Sequence, residues 1–190
     1  ALTVEGRSTL GASPHAVHAM GVGHVPEDRE KDGLVAQYSI ADNLVLNRFD
    51  EHAFARHGVR DRGAVRELAR QLVDQFDVRT PSIETTAESL SGGNKQKVVI
   101  ARELAAEPRL LIASQPTRGV DVGSIEFIHS QIVAARDGGA AVLLVSAELD
   151  EILGLSDRIH VMYDGRLVAE LPGEGADRER IGRLMAGGDA

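Results

Sequence analysis

The sequence predicts an α/β fold with a mostly parallel sheet, and three features of its second half support that prediction. From Leu90 onward, segments with helical periodicity alternate with short apolar runs. The runs at 110–113 and 141–145 are continuously apolar, which is typical of parallel strands that are covered on both faces. Asp164-Gly165 lies between two further apolar runs and is a hairpin signal, so the sheet is expected to end in an antiparallel pair.

Boundary signals place the elements of this half. The Gly138-Gly139 pair stands where a helix is expected to stop. Ile181, Leu184 and Met185 are spaced for one face of a short amphipathic helix near the end of the chain. The predicted helices cover 93–106, 122–136 and 148–155, and the predicted strands cover 109–113, 140–146 and 158–163.

Shorter elements are predicted for the first 90 residues. A weak alternation around Glu5-Gly6 favours a hairpin within residues 1–10. Ser13 supplies an N-cap and Pro14 the first position of a short helix that ends at Gly21. The remaining predictions are a strand at 22–26, a solvated polar loop at 27–33, and helices at 39–46 and 60–76.

Composition excludes several classes of function. The chain has 190 residues, no cysteine and a net charge of −8, so disulfides, thiolate metal sites and cysteine nucleophiles are excluded. The acidic balance and the few aromatic side chains argue against a nucleic-acid partner. No apolar run approaches the roughly 20 residues that cross a bilayer. His15 and His18 are close in sequence but lack a third ligand nearby, so we interpret them as surface histidines and predict no metal site.

The most informative motif is Ser91-Gly92-Gly93-Asn94, at the start of the predicted helix 93–106. Backbone N–H groups are unpaired at a helix N-terminus and the helix dipole is positive there, so the segment is suited to binding a phosphate. Glycine lets the backbone approach an anion closely, and the serine hydroxyl adds a donor. An ordinary N-cap is the alternative interpretation.

Five arginines form a basic cluster in this acidic chain: Arg56, Arg60, Arg62, Arg66 and Arg70. Those at positions 62, 66 and 70 fall on one face of the predicted helix 60–76. The simpler interpretation of this stripe is a solvated helix face.

The order of motifs around this segment resembles the nucleotide-binding subunits of ABC transporters. Residues 90–94 match the family signature, and residues 110–115 stand where its second acidic nucleotide motif lies. Residues 118–121 match the loop that follows, with Asp121 as the family's D-loop aspartate at the interface between cassettes. A plain N-cap for the helix 122–136 is equally compatible with Asp121.

The segments 25–34 and 39–44 resemble the second cassette of tandem importers for simple sugars or nucleosides. The resemblance implies a P-loop NTPase-like fold, with helices on both faces of the sheet and a helical subdomain that contacts the membrane partner. The phosphate loop Gly-x-x-x-x-Gly-Lys-Ser/Thr is not found, and its place in the family lies upstream of Ala1, so the N-terminal part of the fold is expected to be absent. The chain is then a partial nucleotide-binding domain over 1–190. Its expected sections are the hairpin, short helix and Q-loop region (1–35), the helical subdomain (36–90), and the signature helix with the α/β core (91–190).

Other residue types occupy the family's catalytic positions. Its second acidic strand ends in Asp-Glu, where this chain has Ser114 and Gln115; its switch histidine aligns with Ala147, and its Q-loop glutamine with Glu27. Serine brings no charge to Mg²⁺, and glutamine cannot accept a proton from water at neutral pH. No catalytic residue is expected to be intact, and this chain alone is not expected to hydrolyse ATP.

The resemblance implies a site shared between two cassettes that face each other head to tail. Ser91, Gly92, Gly93 and Asn94 would complete the site whose phosphate loop and catalytic glutamate belong to the partner. ATP and Mg²⁺ are the expected cofactors in the full assembly, which would energise uptake of a simple sugar or a nucleoside. The alternatives are a non-catalytic dimerisation or regulatory cassette, or a truncated remnant without ATPase activity.

The resemblance also implies partners and a location. The expected partners are a second cassette, in the same polypeptide or in a dimer, transmembrane permease subunits and, indirectly, a solute-binding protein. Nucleic acid is not among them. The assembly would lie on the cytoplasmic face of the cell membrane, with this chain bound peripherally.

Overall fold

A computed structural model describes residues 3–56 and 59–188 of the chain. They fold as two compact units, one ending at Leu143 and one beginning at Leu144. The first two residues of the predicted hairpin and the side chain of Arg56 lie outside the described part.

The predicted alternation of helices and strands is confirmed, with small shifts at the element ends. The strands are β1 (Thr3–Val4), β2 (Arg7–Ser8), β3 (Val22–Val25), β4 (Ala55–Arg56), β5 (Val59–Arg60), β6 (Leu110–Ser114), β7 (Ala141–Val145), β8 (Arg158–Tyr163) and β9 (Arg166–Pro172). The helices are α1 (Pro14–Ala19), α2 (Ile40–Leu44), α3 (Arg62–Gln75), α4 (Gly92–Leu104), α5 (Val122–Asp137), α6 (Leu149–Leu155) and α7 (Arg178–Met185).

A parallel sheet positions the candidate site. Its strand order is β3–β6–β7, and β3 pairs with β6 in parallel, from Val22 opposite Leu110 to Val25 opposite Ala113. Because parallel strands end at the same edge, the segment after β3 and the segment after β6 lie side by side. This register brings Glu27 towards the loop that follows Ser114.

The predicted antiparallel hairpin is confirmed in the second unit. β8 and β9 pair around Asp164 and Gly165, whose φ angles of 46° and 72° are those that a two-residue hairpin turn requires. The buried core of this unit consists of Ile159, Val161, Ile181 and Leu184.

Two burial predictions are wrong. Met185 was expected to share the buried face of α7, but it is 38% exposed, whereas Ile181 and Leu184 are buried. It lies roughly 100° around the helix from Leu184, outside the covered stripe. The strand β7 was expected to be covered on both faces, yet Leu143 and Val145 are 53% and 49% exposed, because no other element of the described chain covers that face.

The polar segment 27–33 is more ordered than the predicted loop. Arg29–Gly33 form a π-helical turn. Asp28 caps this turn by accepting hydrogen bonds from the N–H groups of Lys31 (3.1 Å) and Glu30 (3.0 Å). These bonds, that from Lys31 foremost, hold the pKa of the Asp28 carboxyl below its usual value. The charge run therefore includes a capped turn with a defined shape.

The predicted helices between β3 and α4 are confirmed as α2 and α3. Asn43 of α2 is buried, and its side-chain amide accepts from the N–H of Val35 (2.8 Å) and donates to the carbonyls of Val35 and Ser39 (both 3.0 Å). In and just after α3, the buried apolar side chains include Val65, Leu72 and Phe76.

Three arginines of the basic cluster, Arg60, Arg66 and Arg70, are exposed and ion-paired. Arg60 lies 2.6 Å from Asp42, and Arg66 lies 2.7 Å from Glu84. All four side chains are at least one-third exposed, and exposed pairs of this kind contribute about 0–1 kcal/mol to stability. These contacts agree with the interpretation of a solvated helix face.

The two histidines of α1 have polar neighbours in the first unit. His15 lies 3.2 Å from the carboxylate of Asp50, and His18 Nε2 lies 3.1 Å from Asn47 Nδ2. Within 3–56 and 59–188, no group of three or more histidine, cysteine, aspartate or glutamate side chains is arranged to hold a metal ion. No helix in those same ranges is long and apolar enough to span a membrane.

Candidate nucleotide-contact site

The start of α4 is a capped helix N-terminus. Ser91 is the N-cap residue, and its Oγ accepts from the backbone N–H of Asn94 (3.4 Å) and from Asn94 Nδ2 (2.9 Å). Asn94 Oδ1 in turn accepts from the backbone N–H of Arg79 (2.8 Å). The N-cap interpretation is therefore correct in geometry. It leaves phosphate binding open, because the hydroxyl oxygen of Ser91 acts as acceptor in both bonds and its O–H can still donate.

Little space surrounds Gly92 and Gly93. A Cβ on Gly93 would overlap the Ser124 hydroxyl and lie 2.7 Å from Asp121 Oδ2. A Cβ on Gly92 would lie 2.8 Å from Arg29 Nη2 and 3.2 Å from the carbonyl oxygen of Gly119. The sequence predicted glycine for close approach to an anion; the structure adds that glycine is needed for close approach to two neighbouring segments.

The first turn of α4 also carries a lysine beside the positive end of the helix dipole. Lys95 is only 14% exposed, and its Nζ lies 2.7 Å from Glu30 Oε1 in the π-helical turn. The hydrogen bond and charge of Lys95 lower the pKa of the Glu30 carboxyl. Glu30 is thus held as a carboxylate at neutral pH, and it ties the segment after β3 to the start of α4.

Asp121 caps α5 next to this helix start. Its Oδ1 accepts from the Ser124 N–H (3.0 Å) and its Oδ2 from the Ser124 hydroxyl (2.8 Å). The hydroxyl bond and then the N–H bond keep the pKa of Asp121 below its usual value. The N-cap role of Asp121 is observed, while its role as an interface aspartate stays a prediction.

Glu27 lies at the same edge of the sheet. Its carboxylate pairs with the guanidinium of Arg118, and both side chains are more than half exposed. The pair joins the segment after β3 to the loop after β6. The carboxylate of Glu27 is therefore paired with an arginine of this chain.

The end of β6 holds Ser114 and Gln115, which carry no charge. Gln115 has a φ of 49°, a left-handed backbone that ordinarily favours glycine. Mg²⁺ is usually held by carboxylates together with phosphate oxygens. With serine and glutamine here, and with the Glu27 carboxylate paired to Arg118, these residues do not fit a Mg²⁺ site. Ala147, predicted to stand at the switch position, belongs to the second unit.

Two residues close to the start of α4, Arg29 and Lys97, were not identified from the sequence. Arg29 donates from Nη1 to the carbonyl of Arg118 (2.6 Å) and from Nη2 to the carbonyl of Gly119 (3.1 Å). Lys97, buried in α4, lies 2.7 Å from the carboxylate of Asp77 and 4.7 Å from the ring centre of Phe127. Neither contact has a local signal, because each joins residues that are 20 or more positions apart.

Comparisons with known proteins agree with these motifs. The family model for the ABC transporter matches residues 3–118. The chain is 44% identical to the guanosine import ATP-binding protein NupO of Bacillus subtilis over 98% of this chain and 36% of that protein. It is 48% identical to the glucose import ATP-binding protein TsgD13 of Haloferax volcanii over 98% of this chain and 34% of that protein. The chain thus spans about a third of the length of these relatives.

A solved structure supports the fold. The dimeric post-hydrolysis structure of the ATP-binding cassette MJ0796, bound to ADP and Pi, superposes with a TM-score of 0.73 at 21% identity, covering 91% of this chain and 73% of that chain. Together with the parallel sheet and the C-terminal antiparallel hairpin, this likeness confirms the P-loop NTPase-like fold. The match of the family model over residues 3–118 and the two close relatives establish that the chain belongs to the ABC transporter family, as one of its ATP-binding cassettes.

Proposed function

We propose that this chain is the second, degenerate cassette of an importer and energises the uptake of a simple sugar or a nucleoside. The observation that carries the proposal is the contrast between the start of α4 and the end of β6. Residues 91–94 keep the geometry of an anion-binding helix start, whereas Ser114 and Gln115 supply no carboxylate. A chain with these two features suits a shared ATP site to which it contributes hydrogen-bond donors rather than the catalytic base.

In the proposed site, the start of α4 faces the phosphates of an ATP molecule that the partner cassette holds on its own phosphate loop. The N–H groups of Gly92 and Gly93 and the hydroxyl of Ser91 donate to phosphate oxygens, and the helix dipole favours their charge. Asn94 orients Ser91 through its 2.9 Å bond. When bound, ATP with Mg²⁺ supplies phosphoryl transfer to water, and fixed donors at the phosphates stabilise the charge that develops.

The neutral end of β6 gives this chain no base for a hydrolytic site of its own. Glutamine at position 115 can orient a water molecule but cannot accept its proton at neutral pH. We therefore assign Ser114, Gln115 and Ala147 to a degenerate site, Glu27 to the Q-loop position and Asp121 to the D-loop. Hydrolysis in the assembly takes place at the site where the partner supplies the catalytic glutamate.

The partners and the location follow from the same proposal. The chain pairs with a second cassette, in the same polypeptide or as a dimer, and docks on transmembrane permease subunits at the cytoplasmic face of the cell membrane. A solute-binding protein acts indirectly by delivering the solute. One relative is named for guanosine and another for glucose, so the proposed solute is a nucleoside or a simple sugar.

A pair of substitutions tests the proposed division of labour. In the complete assembly, Ser91→Arg places a long cation where the phosphates of the shared site are bound. We expect ATP hydrolysis to fall by about 100-fold or more, the range seen when a preorganised donor is lost at a transition state. Gln115→Glu is expected to change the rate by less than about twofold, because the residue lies in the degenerate site.

The control is Ser130→Arg, the same change at an exposed position on α5. It should leave ATP hydrolysis unchanged and thereby separate a local effect at α4 from a general effect of the added charge. Normal hydrolysis in Ser91→Arg would contradict the proposed shared site. A large gain in Gln115→Glu would show instead that the β6 site is active.

A further inference from the structure

The side chains of Glu27 and Arg29 bind the segment after β3 to the loop after β6. Arg29 reaches the carbonyls of Arg118 and Gly119, and Arg118 reaches back to the carboxylate of Glu27. We name this reciprocal arrangement of Glu27, Arg29, Arg118 and Gly119 the arginine clasp. It connects two segments that are 89 to 91 positions apart in sequence.

Arg29 makes the principal contacts of the arginine clasp. Its two Nη atoms donate at 2.6 Å and 3.1 Å to successive backbone carbonyls, a planar fork geometry that a guanidinium matches and an ammonium does not. Its Nε is buried and has no hydrogen-bond partner among the described residues. The guanidinium is thus held with its Nη edge towards the backbone of the 118–119 loop.

The same guanidinium fills the space next to the signature glycine. The position of a Cβ on Gly92 lies 2.8 Å from Arg29 Nη2, and that of a Cβ on Gly119 lies 3.6 Å from it. Arg29 therefore touches the start of α4 and the loop that leads to Asp121 at once. The Lys95–Glu30 pair holds the next residue of the segment to α4, so Arg29 is fixed from both sides.

We propose that Arg29 is a positioning residue that locks the 118–121 loop to the start of α4, so that Ser91–Asn94 and Asp121 meet the partner cassette as one rigid surface. The inference rests on the proposed function for its effect on ATP hydrolysis, but not for the local lock itself. Arg29 acts through the backbone carbonyls of Arg118 and Gly119, to which its two Nη atoms donate.

The local lock is tested by hydrogen exchange on the full chain. Arg29→Gln removes the guanidinium and its two Nη donors. Arg70→Gln is the matched control on the exposed face of α3. We expect the amides of Arg118 and Val120, which bond within their own turn, to exchange about tenfold faster in Arg29→Gln, as local opening becomes easier. Arg29→Lys, which can reach one carbonyl but not both, should give an intermediate rate. The amides of the β8–β9 hairpin, which lies in the second unit, should stay unchanged in all three variants.

The effect on the reaction is tested in the complete assembly. Arg29→Gln should lower kcat for ATP hydrolysis by about tenfold with KM for ATP within about twofold, because misaligned donors act on the transition state while the partner's phosphate loop still binds the substrate. Arg29→Lys should restore part of kcat, and Arg70→Gln should match the unaltered assembly.

The outcomes of these experiments distinguish the local lock by Arg29 from the proposed function in ATP hydrolysis. A fall in kcat without faster exchange at Arg118 and Val120, or a rise in KM alone, would overturn the lock and make Arg29 a direct nucleotide contact. Unchanged exchange and unchanged kcat would also overturn it. Faster exchange in a chain whose unaltered assembly shows no ATP hydrolysis would support the lock and contradict the proposed function.

Discussion

The start of α4 has a glycine with an ordinary φ in a crowded site, whereas the end of β6 has a non-glycine residue with a positive φ. Gly93 has an ordinary φ, but a Cβ there would overlap Ser124 and Asp121. Gln115 has a φ of 49°, where glycine is conformationally favoured, yet the residue is glutamine. One region therefore omits a side chain because space forbids it, and the other keeps a side chain at a position that the backbone disfavours.

This contrast separates a region whose residues fit their neighbours from one whose residue does not fit its backbone conformation. At the start of α4, Ser91 and Asn94 take part in the capping bond, and Asn94 also accepts from the N–H of Arg79; Asp121 next to them caps α5. At the end of β6, a left-handed non-glycine residue costs about 1 kcal/mol, and no carboxylate is present. The first region is closely packed against its neighbours; the second has a strained turn and the uncharged side chains of Ser114 and Gln115.

The largest effect is expected for Gly93→Ala. The added Cβ has rigid neighbours, since the Ser124 hydroxyl and the Asp121 carboxylate are bonded to each other. Overpacking and partial loss of the α5 cap should together lower the free energy of unfolding by about 2–3 kcal/mol. Urea denaturation followed by circular dichroism measures this loss.

Gly123→Ala is the matched control for this change. It lies in the first turn of α5, and its Cβ would meet only ordinary contact, 3.5 Å from Asp121 Oδ1. We expect it to raise stability by about 0.5–1 kcal/mol, because alanine is the better helix former. Equal behaviour of the two alanine variants would show that space does not explain Gly93.

Local signals in the sequence were sufficient for most of the fold. Ser13-Pro14 placed the start of α1, and Asp164-Gly165 placed the β8–β9 turn, because caps and turns depend on adjacent residues. The burial of β7 was not predictable from its apolar run, because exposure depends on which elements pack over it. Leu143 illustrates the failure: its neighbours in sequence are apolar, but its side chain is half exposed.

The candidate site was predictable in its residues but not in its contacts. The order of motifs identified Ser91 and Asp121, and their capping bonds span three residues, which spacing alone suggests. The contact of Arg29 with two carbonyls about 90 residues away depends on the parallel register of β3 and β6. No pattern within the charge run 27–33 distinguishes that arginine from a solvated one.

A smaller effect, visible in its pH dependence, is expected for Asp121→Asn. The folded-state pKa of Asp121 is lowered by the Ser124 hydroxyl and N–H, so the carboxylate contributes stability that is present above its unfolded pKa near 3.8 and lost as pH falls through the lower folded value. Asparagine still caps the helix but carries no charge. The difference in urea midpoint between the two proteins should therefore be larger at about pH 7 than at about pH 3. A difference independent of pH would show that the charge of Asp121 does not contribute.

The smallest effect is expected for Gln115→Gly, which tests the other side of the comparison. Glycine removes the left-handed penalty of about 1 kcal/mol, while its larger unfolded-state entropy offsets part of that gain. We expect a net rise of about 0.5 kcal/mol in the free energy of unfolding, measured in urea beside Glu107→Gly. Glu107 is exposed and has a nearly identical φ of 47°, so its variant reports the backbone contribution alone.

A smaller gain at position 115 than at position 107 means that the glutamine side chain stabilises its turn. A loss of stability in Gln115→Gly beside a gain in Glu107→Gly would show that the end of β6 is also closely packed against its neighbours, and the contrast with the start of α4 would then concern charge rather than packing.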